Sequence, residues 1–244
     1  MNLFSKAILS AAIIGIALTG CGEKKDNHLK VGAIAGAETQ VAEEAAKIAK
    51  EKFGLEVEIV QFSDFATPNV ALNDGSIDVN AFQHKPYLDS QIKDRGFKLV
   101  AVGNTFVYPI AGYSKKIKAV SELKEGSQIA VPNDPTNLGR SLLLLQKQGL
   151  LKLKDGAGLS ATVLDIVENP KKVKIVELEA AQLPRALEDV DLAIINTVYA
   201  SQVNLQPTRD GLFVEDKESP YVNLIVAREN NQNDEKVKNF VKSY

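Results

Sequence analysis

The stretch LKVGAIAGAETQVAEEAAKIAKEKFGLEVEIVQF, residues 29–62, predicts a strand, a helix and a second strand in succession. Residues 29–34 are mostly apolar, and residues 55–62 alternate between apolar and polar side chains, as a strand with one buried face does. Between them, a helix from Glu38 to Phe53 places apolar and small side chains on one side, and Gly54 is suited to end it. This unit favours an α/β fold with a mostly parallel sheet covered by helices.

The alternation of strands and helices continues through the chain in two series. The first series adds a strand at 77–82 and a helix at 85–96. The second contains strands at 128–131, 173–178 and 191–196, a helix that begins after the candidate N-cap Asp134, a strand at 221–228 and a helix over 233–244. Two α/β series of comparable size predict two lobes, and the cleft between lobes is a preferred place for a ligand.

Residues 1–21 have the pattern of an export signal. An apolar run from Ala7 to Leu18 is shorter than the roughly 20 residues that a membrane-spanning helix needs. It ends in Leu18-Thr19-Gly20-Cys21, which resembles the bacterial lipobox, whose cysteine becomes a lipidated N-terminus. Cys21 is the only cysteine, so it has no partner for an internal disulfide. We predict a signal peptide over 1–20, a lipid anchor on Cys21 and a polar tether over 21–28, which attach the protein to a membrane without spanning it.

The rest of the chain carries few signs of other functional classes. The net charge is −2 and no cluster of basic residues stands out, which disfavours nucleic-acid binding. Of the two histidines, His28 lies in the predicted tether, so a zinc site is not expected. The GxSxG motif of serine hydrolases does not occur in the sequence. We therefore expect no metal, no cofactor and no catalytic residue.

The segment NAFQHKPYLD, residues 80–89, places several aromatic side chains at the end of a predicted strand. Alternation puts Phe82 on the more polar face of that strand, and His84 and Tyr87 follow in the turn and the first helical turn. The three side chains are therefore expected around one point beyond the carboxyl end of the strand, where α/β sheets bind ligands. The residues alone leave open a second interpretation, the ordinary packing of a corner between a strand and a helix.

Polar residues at three further positions are suited to contact a bound molecule. Arg140 lies near the start of a helix and away from its stripe of leucines, where a guanidinium can grip a carboxylate through two parallel hydrogen bonds. A solvent-exposed arginine is the alternative, and Asp134 competes for the free amides as a helix cap. Asn196 ends one strand and Asn223 lies inside another, where an unpaired buried amide costs about 1–3 kcal/mol. Their partners are protein groups, water or a ligand, and the sequence does not choose among these.

Four segments are similar to the methionine-binding lipoproteins of bacterial ABC importers, the MetQ/NlpA family. They are NAFQHKPYLD (80–89), VAVGNTFVYPIAGYSKKIK (100–118), VPNDPTNLGRSLLLLQKQGL (131–150) and FVEDKESPYVNLIV (213–226). The resemblance implies an α/β, two-lobed periplasmic-binding-protein fold of type II-like form. The expected first lobe comprises 29–108 and 225–244, the second comprises 109–224, and the hinges are Val107–Gly112 and Tyr221–Val226. Family members extend beyond the helix near Asp234 by a further helical segment, whereas this sequence stops at Tyr244.

The resemblance also implies a function and the residues that perform it. The protein is expected to be a monomer in the cell envelope, facing the periplasm or the extracellular side, that captures methionine and delivers it to an ABC permease with a cytoplasmic ATPase. An aromatic clamp falls on Phe65, Phe82, His84 and Tyr87. The carboxylate-binding arginine falls on Arg140, and the groups around the amino-acid backbone fall on Asn196 and Asn223, with Asn137 as a further candidate. A closed, empty cleft is expected to leave Arg140 unpaired, so that the ligand-free protein opens.

Three alternatives remain open from the sequence. One is a different small ligand, such as a methionyl dipeptide or another apolar amino acid, since such a pocket rejects a missing methylene by only about 1–3 kcal/mol. Another is an enzyme with His84 as a base, which lacks an accompanying nucleophile, metal set or cofactor loop. The third is a lipidated surface adhesin, which no feature of the sequence specifically supports.

Overall fold

The computed structural model describes residues 27–216 and 219–244. The predicted signal peptide, Cys21 and most of the predicted tether lie outside these residues. In the part of the chain that is described, no helix is both long and apolar enough to cross a bilayer. In chain order the strands and α-helices are β1 (His28–Ile34), α1 (Ala37–Phe53), β2 (Glu56–Phe62), α2 (Thr67–Asp74), β3 (Val79–His84), α3 (Lys85–Arg95), β4 (Leu99–Val107), β5 (Ala111–Tyr113), β6 (Gln128–Pro132), α4 (Pro135–Lys147), β7 (Lys152–Leu153), β8 (Ile166–Glu168), β9 (Lys174–Leu178), α5 (Leu183–Ala186), β10 (Leu192–Ile195), α6 (Thr197–Gln202), α7 (Pro207–Asp210), β11 (Phe213–Val214), β12 (Val222–Arg228) and α8 (Glu235–Val241).

The first sheet has the strand order β2-β1-β3-β12-β4 and contains the predicted strand–helix–strand unit. β1 is parallel to β2 and β3, and β12 is antiparallel to β3 and β4. Helices α1 and α8 cover one face around Leu29 and Phe240, whereas α2 and α3 cover the other around Leu72 and Leu88. The sequence did not reveal α2 and β4, although α2 positions part of the site.

The second sheet has the strand order β11-β5-β10-β6-β9. β6 is parallel to β10 and β9, and β5 is antiparallel to β10 and β11. The predicted leucine stripe of α4 packs on one face of this sheet, where Leu142 and Leu145 are fully buried against Ile129 and Ile194. On the other face, α5 and α6 pack against Ala193 and Ile195. That second cluster also includes Phe82 and Tyr87 of the first lobe, so the two lobes share a core.

A β-bulge interrupts β3 near the predicted aromatic group. Leu224 of β12 pairs with Gln83 and Ile225 pairs with Ala81, so Phe82 is the extra residue between two paired positions. An extra residue breaks the alternation of side chains. The prediction that Phe82 lies on a polar strand face is therefore wrong, and its ring is buried in the core between the lobes. Ile77 precedes β3 and packs with Leu72 and Val226 beneath α2, whereas Val79 and Ala81 of β3 pack on the other face of the sheet.

The chain passes between the two sheets twice, from β4 to β5 and from β11 to β12. The first crossover lies within the predicted hinge Val107–Gly112. The second crossover ends at Tyr221, because β12 begins at Val222 and pairs with both β3 and β4. The predicted lobe boundary after residue 224 and most of the predicted hinge Tyr221–Val226 thus lie inside a central strand. The physical reason is that the side chain of Asn223 has partners in the first lobe, Glu38 and the carbonyl of Phe82.

Candidate functional site

A cavity lies between the lobes, and its empty space, including the part that is open to solvent, is about 380 Å³. Every residue that the sequence analysis proposed for the site lines it, namely Phe65, Phe82, His84, Tyr87, Asn137, Arg140, Asn196 and Asn223. The cavity also has lining residues that the sequence analysis did not identify, namely Glu38, Gln83, Tyr108, Thr197 and Val198. The strands β1 and β3 and the starts of α1, α4 and α6 meet here, as expected for the carboxyl ends of parallel strands.

Aromatic rings form one wall of the cavity. Phe65 precedes α2 and stacks on Phe82 with ring centroids 6.0 Å apart, and Tyr87 meets Phe82 edge-on at 5.9 Å. The Tyr87 hydroxyl donates a hydrogen bond to the backbone carbonyl of Phe65 at 2.8 Å, which holds the segment before α2 against α3. Tyr199 on α6 approaches Phe65 to 4.9 Å from the other lobe. Apolar ligand atoms in this cavity would therefore contact rings on one side.

His84 connects the aromatic wall to the polar side of the cavity. Its Nδ1 accepts a hydrogen bond from the backbone N–H of Tyr87 at 3.2 Å and thereby caps α3. Because Nδ1 accepts, Nε2 carries the proton and lies 3.4 Å from Oδ1 of Asn137 on the other lobe. Burial, together with the nearby charge of Arg140, lowers the pKa of His84 to about 3, so the imidazole is neutral at physiological pH. The interpretation of residues 80–89 as a packed corner between a strand and a helix therefore applies to His84, which caps α3. The same side chain also lines the cavity.

Protonation of His84 makes a testable contribution to the pH dependence of stability. In the unfolded chain the pKa returns to about 6.5, so the unfolded state binds a proton that the folded state rejects. This contribution to the free energy of unfolding is therefore present above pH ~6.5 and is lost as the pH falls towards 3. Urea denaturation at several pH values should show a steeper loss for the wild type than for His84→Asn, whose amide can still cap α3 without titrating. Equal slopes for the two proteins would contradict a buried, neutral His84.

Arg140 is buried and paired, which contradicts the alternative of a solvent-exposed arginine and the expectation of an unpaired one. It is 3% exposed, which excludes a solvated arginine. Its Nε donates to Glu215 at 2.8 Å, and its Nη2 donates to the other Glu215 oxygen and to the carbonyl of Tyr108 at 3.0 Å. Its guanidinium carbon lies 4.2 Å from the ring centroid of Tyr221. The expectation that a closed, empty cleft leaves Arg140 unpaired is therefore wrong, because Glu215 reaches it from beyond β11.

Arg140 lines the cavity, and one of its guanidinium nitrogens has no partner among the described residues. Its Nη1 makes no hydrogen bond to any residue in 27–216 or 219–244. At the start of the same helix, the Asp134 side chain accepts from the backbone N–H of Asn137 at 3.0 Å, which confirms Asp134 as the N-cap. Since Asp134 already accepts from that amide, we expect the Arg140 guanidinium, rather than the backbone amide of Asn137, to bind an anion in the cavity.

Three asparagines at the cavity make side-chain hydrogen bonds within their own lobes, and Asn137 also faces His84 of the other lobe. Asn137 Oδ1 accepts from Asn196 Nδ2 at 3.0 Å and faces His84, while Asn137 Nδ2 donates to Asp134 at 2.9 Å. Asn196 Oδ1 is buried and has no hydrogen-bond partner among the residues that the structure describes. Asn223 Nδ2 donates to the carbonyl of Phe82 at 2.9 Å and to Glu38 at 3.0 Å. Asn223 thus stabilises the bulge in β3. In contrast, Oδ1 of Asn196 is available to accept a hydrogen bond from a bound molecule.

Glu38 is the most informative residue that the sequence analysis missed. It lies in the first turn of α1, directly after β1, and is 4% exposed. Burial raises the pKa of its carboxyl well above the ordinary value, although hydrogen bonds from the backbone at Ile34 and from the side chain of Asn223 oppose this effect. Its position in the sequence was the one signal for a role in the site. Glu38 is the first acidic residue after β1, and β1 pairs with a parallel strand on each side. Ligands of open α/β sheets bind at such carboxyl ends.

Comparisons with known proteins agree with this architecture. A sequence model described as NlpA lipoprotein matches residues 29–244. The D-methionine-binding lipoprotein MetQ of Escherichia coli (strain K12) is 69% identical over 242 residues, which cover 98% of this chain and 89% of that protein. The crystal structure of a protein described as the methionine binding protein MetQ has a TM-score of 0.89 and 72% identity over 89% of this chain and 90% of the other. A nutrient binding protein from Burkholderia cenocepacia bound to methionine has a TM-score of 0.87 and 54% identity over 88% and 91%.

The family model matches nearly all of the described residues, and the similarity to these proteins covers most of the chain. The predicted two-lobed α/β fold and the predicted family are confirmed by them. This chain belongs to the NlpA lipoprotein family.

Proposed function

We propose that this protein is a substrate-binding lipoprotein that captures methionine in the cavity between its lobes and delivers it to a bacterial ABC importer. One observation supports this most directly: a wall of aromatic rings faces a buried arginine and two unpartnered acceptor oxygens across one small cavity. An amino acid with an apolar side chain has the matching groups. The relatives compared above are named for binding methionine rather than for catalysis, in agreement with the expectation that the protein is not an enzyme.

The side chain of methionine fits the aromatic wall. Burying such a side chain stabilises the complex by roughly 1.5–3 kcal/mol, and contacts between its sulfur and aromatic rings add about 0.3–1.5 kcal/mol. Phe65, Phe82 and Tyr87 provide the rings in the first lobe, and Tyr199 closes on Phe65 from the second. The thioether is therefore assigned to this wall.

The charged end of the ligand fits the opposite side. We assign Nη1 of Arg140 to the carboxylate, and the oxygens of Glu38 and Asn196 that have no partner among the described residues are the proposed acceptors for the ammonium group. Charge-assisted hydrogen bonds contribute about 1.5–3 kcal/mol each, whereas nanomolar affinity needs about 12 kcal/mol in total. The apolar contacts cannot supply this total, so most of the affinity is assigned to the polar groups.

Ligand binding is expected to favour the closed arrangement of the lobes. The aromatic wall and Glu38 belong mainly to the first lobe, while Arg140 and Asn196 belong to the second, so only a closed cleft offers both groups to one small molecule. Arg140 also contacts Tyr108 in one crossover and Tyr221 at the end of the other. A ligand that binds the closed form better shifts the population towards it. The two crossovers are the proposed hinges.

The cellular setting of this function is also a proposal. We assign the anchor to Cys21, with the two lobes held outside the membrane on the periplasmic or extracellular side. An ABC permease and its cytoplasmic ATPase are the proposed partners, and the protein acts as a monomer. The names of the relatives, which describe lipoproteins and methionine binding, support this setting.

Identification of a co-purified molecule tests the proposed ligand. Native mass spectrometry of freshly purified protein, followed by denaturation, is expected to release methionine. Calorimetric titration of ligand-stripped protein should then show tight methionine binding and weaker binding of norleucine, in which a methylene replaces the sulfur. Tighter binding of a methionyl dipeptide would favour that alternative ligand. A folded, stripped protein that binds none of these compounds would refute the proposal.

The aromatic wall predicts the effect of a single substitution. Phe65→Leu is expected to weaken methionine binding by up to about tenfold, since about 0.3–1.5 kcal/mol of sulfur–aromatic contact is lost. Phe53→Leu is the matched control, because Phe53 is also partly buried but packs on the core beneath α1, away from the cavity. Calorimetry should show normal affinity for the control. Equal effects of both changes would remove Phe65 from the ligand site.

A further inference from the structure

Glu38 has an unusual position for a carboxyl group. It is nearly inaccessible to solvent and lines the cavity, and its Oε1 accepts from Asn223 at 3.0 Å. Its Oε2 is buried and has no hydrogen-bond partner within the described ranges. An isolated buried carboxylate is costly unless a cation or several donors compensate it. The neutral, protonated form of Glu38 is the less costly one when no cation is beside it.

The surroundings of Glu38 provide no free cation among the described residues. Arg140 is the one guanidinium that lines the cavity, and Glu215 is bound to it. His84 at the end of β3 is neutral. The strands β1 and β2 contribute no titratable side chain to the described lining. The remaining titratable groups that interact electrostatically with Glu38 are the phenols of Tyr108 in the first crossover, Tyr199 on α6 and Tyr244 after α8.

We propose that Glu38 is protonated in the ligand-free protein and releases its proton to solvent when the ammonium group of the ligand binds beside it. This inference rests on the proposed function and adds a coupling between ligand capture and pH. In the ligand-free protein the charge of Arg140 is balanced by its partner Glu215, and the protonated Glu38 adds no charge to the cavity. A zwitterion brings a carboxylate to Arg140 and an ammonium to Glu38, whose carboxylate form then has a cation as partner.

The physical basis is that the two states of Glu38 have different neighbours. Without ligand, burial favours the neutral carboxyl and raises its pKa. An ammonium within a few ångströms favours the carboxylate and lowers the pKa again. Because the liganded protein holds fewer protons, the association constant rises with pH while the free Glu38 is protonated. The rise is at most tenfold per pH unit, which corresponds to one proton, and it ends where Glu38 ionises without ligand.

Calorimetry in two buffers measures this proton directly. Methionine is titrated into the protein at one pH in phosphate and in Tris, which differ in ionisation enthalpy, and the difference in observed heat gives the number of protons released. We expect release that approaches one proton at some pH between about 5 and 8. Glu38→Gln keeps the size and the acceptor for Asn223, and it should abolish the release. 4-(Methylsulfanyl)butanoic acid, which lacks the amino group, should release no proton from the wild type.

A measurement without ligand tests the protonation of Glu38 separately. A raised pKa stabilises the fold fully below the unfolded value and loses this contribution as the pH rises through the folded value. The urea midpoint of the wild type should therefore fall relative to that of Glu38→Gln between about pH 5 and pH 8. A constant difference over this range would overturn the inference.

The outcomes separate this inference from the proposed function. Tight methionine binding without proton release, or with the same release in Glu38→Gln, would overturn the role of Glu38 and leave methionine capture intact. A ligand-stripped protein that does not bind methionine would overturn the proposed function. In that case the denaturation experiment still decides whether Glu38 is protonated in the ligand-free protein.

Discussion

Arg140→Ala is expected to weaken methionine binding roughly a hundredfold or more. The change removes the charge-assisted hydrogen bonds to the ligand carboxylate, about 1.5–3 kcal/mol each, and every 1.4 kcal/mol is about tenfold in affinity. Isothermal titration calorimetry measures the loss. Lys147→Ala, at an exposed position on the same helix, should bind methionine as the wild type does.

The same substitution also affects folding, because Arg140 has a structural partner. Glu215 is only 13% exposed and loses its counterion, and breaking a buried ion pair in this way costs about 3–5 kcal/mol. The double variant Arg140→Met/Glu215→Leu removes both charges and should recover much of the stability, because replacing a buried pair with apolar residues is often neutral. It should not recover the affinity. A double variant that binds methionine normally would show that Arg140 serves the fold alone.

Gly139→Ala is expected to lower the free energy of unfolding by about 1–3 kcal/mol or more. A methyl group on Gly139 would lie 2.9 Å from the carbonyl carbon of Leu159 and 3.1 Å from the backbone nitrogen of Ala161. Backbone atoms cannot rotate away as a side chain can, so α4 must shift. Alanine has a higher helix propensity than glycine by about 1 kcal/mol, so a net loss would show that the close approach outweighs propensity.

The displacement of α4 should also reach the site, since Gly139 lies between Asn137 and Arg140. Urea denaturation and methionine titration of the same variant measure the two effects. Lys147→Ala should change the free energy of unfolding by less than about 0.5 kcal/mol, as expected for an exposed position. A Gly139→Ala protein with wild-type stability and affinity would show that the contact with residues 159–161 is adaptable.

The secondary structure was predictable where the pattern was long and regular. The helix expected from Glu38 to Phe53 is α1, and Gly54 ends it in the left-handed conformation. Gly96 ends α3 in the same way. The short helices α2 and α6 escaped prediction, because eight and six residues offer little periodicity. Their contribution to the cavity comes from packing against the sheets rather than from local pattern.

The proposed site residues were predictable as a group, and their partners were not. A resemblance to a family and the position of strand ends identify which residues gather at one edge of a sheet. Glu38, which contacts Asn223, was not identified, because its position after β1 is informative only once the parallel pairing of that strand on both sides is known. The bulge at Phe82 was equally hidden, since alternation of side chains assumes an unbroken register.

The sequence by itself determined the α/β class, the two series of elements, the helix boundaries at glycine and part of the set of residues that line the cavity. These features depend on local periodicity and on the carboxyl ends of strands, both of which can be read along the chain. Only the tertiary structure decided that Glu215 holds Arg140 from 75 positions away and that Asn223 holds Glu38 from 185 positions away. The physical reason is that burial of a polar group demands a partner, while the partner depends on which distant segment reaches it when the chain folds.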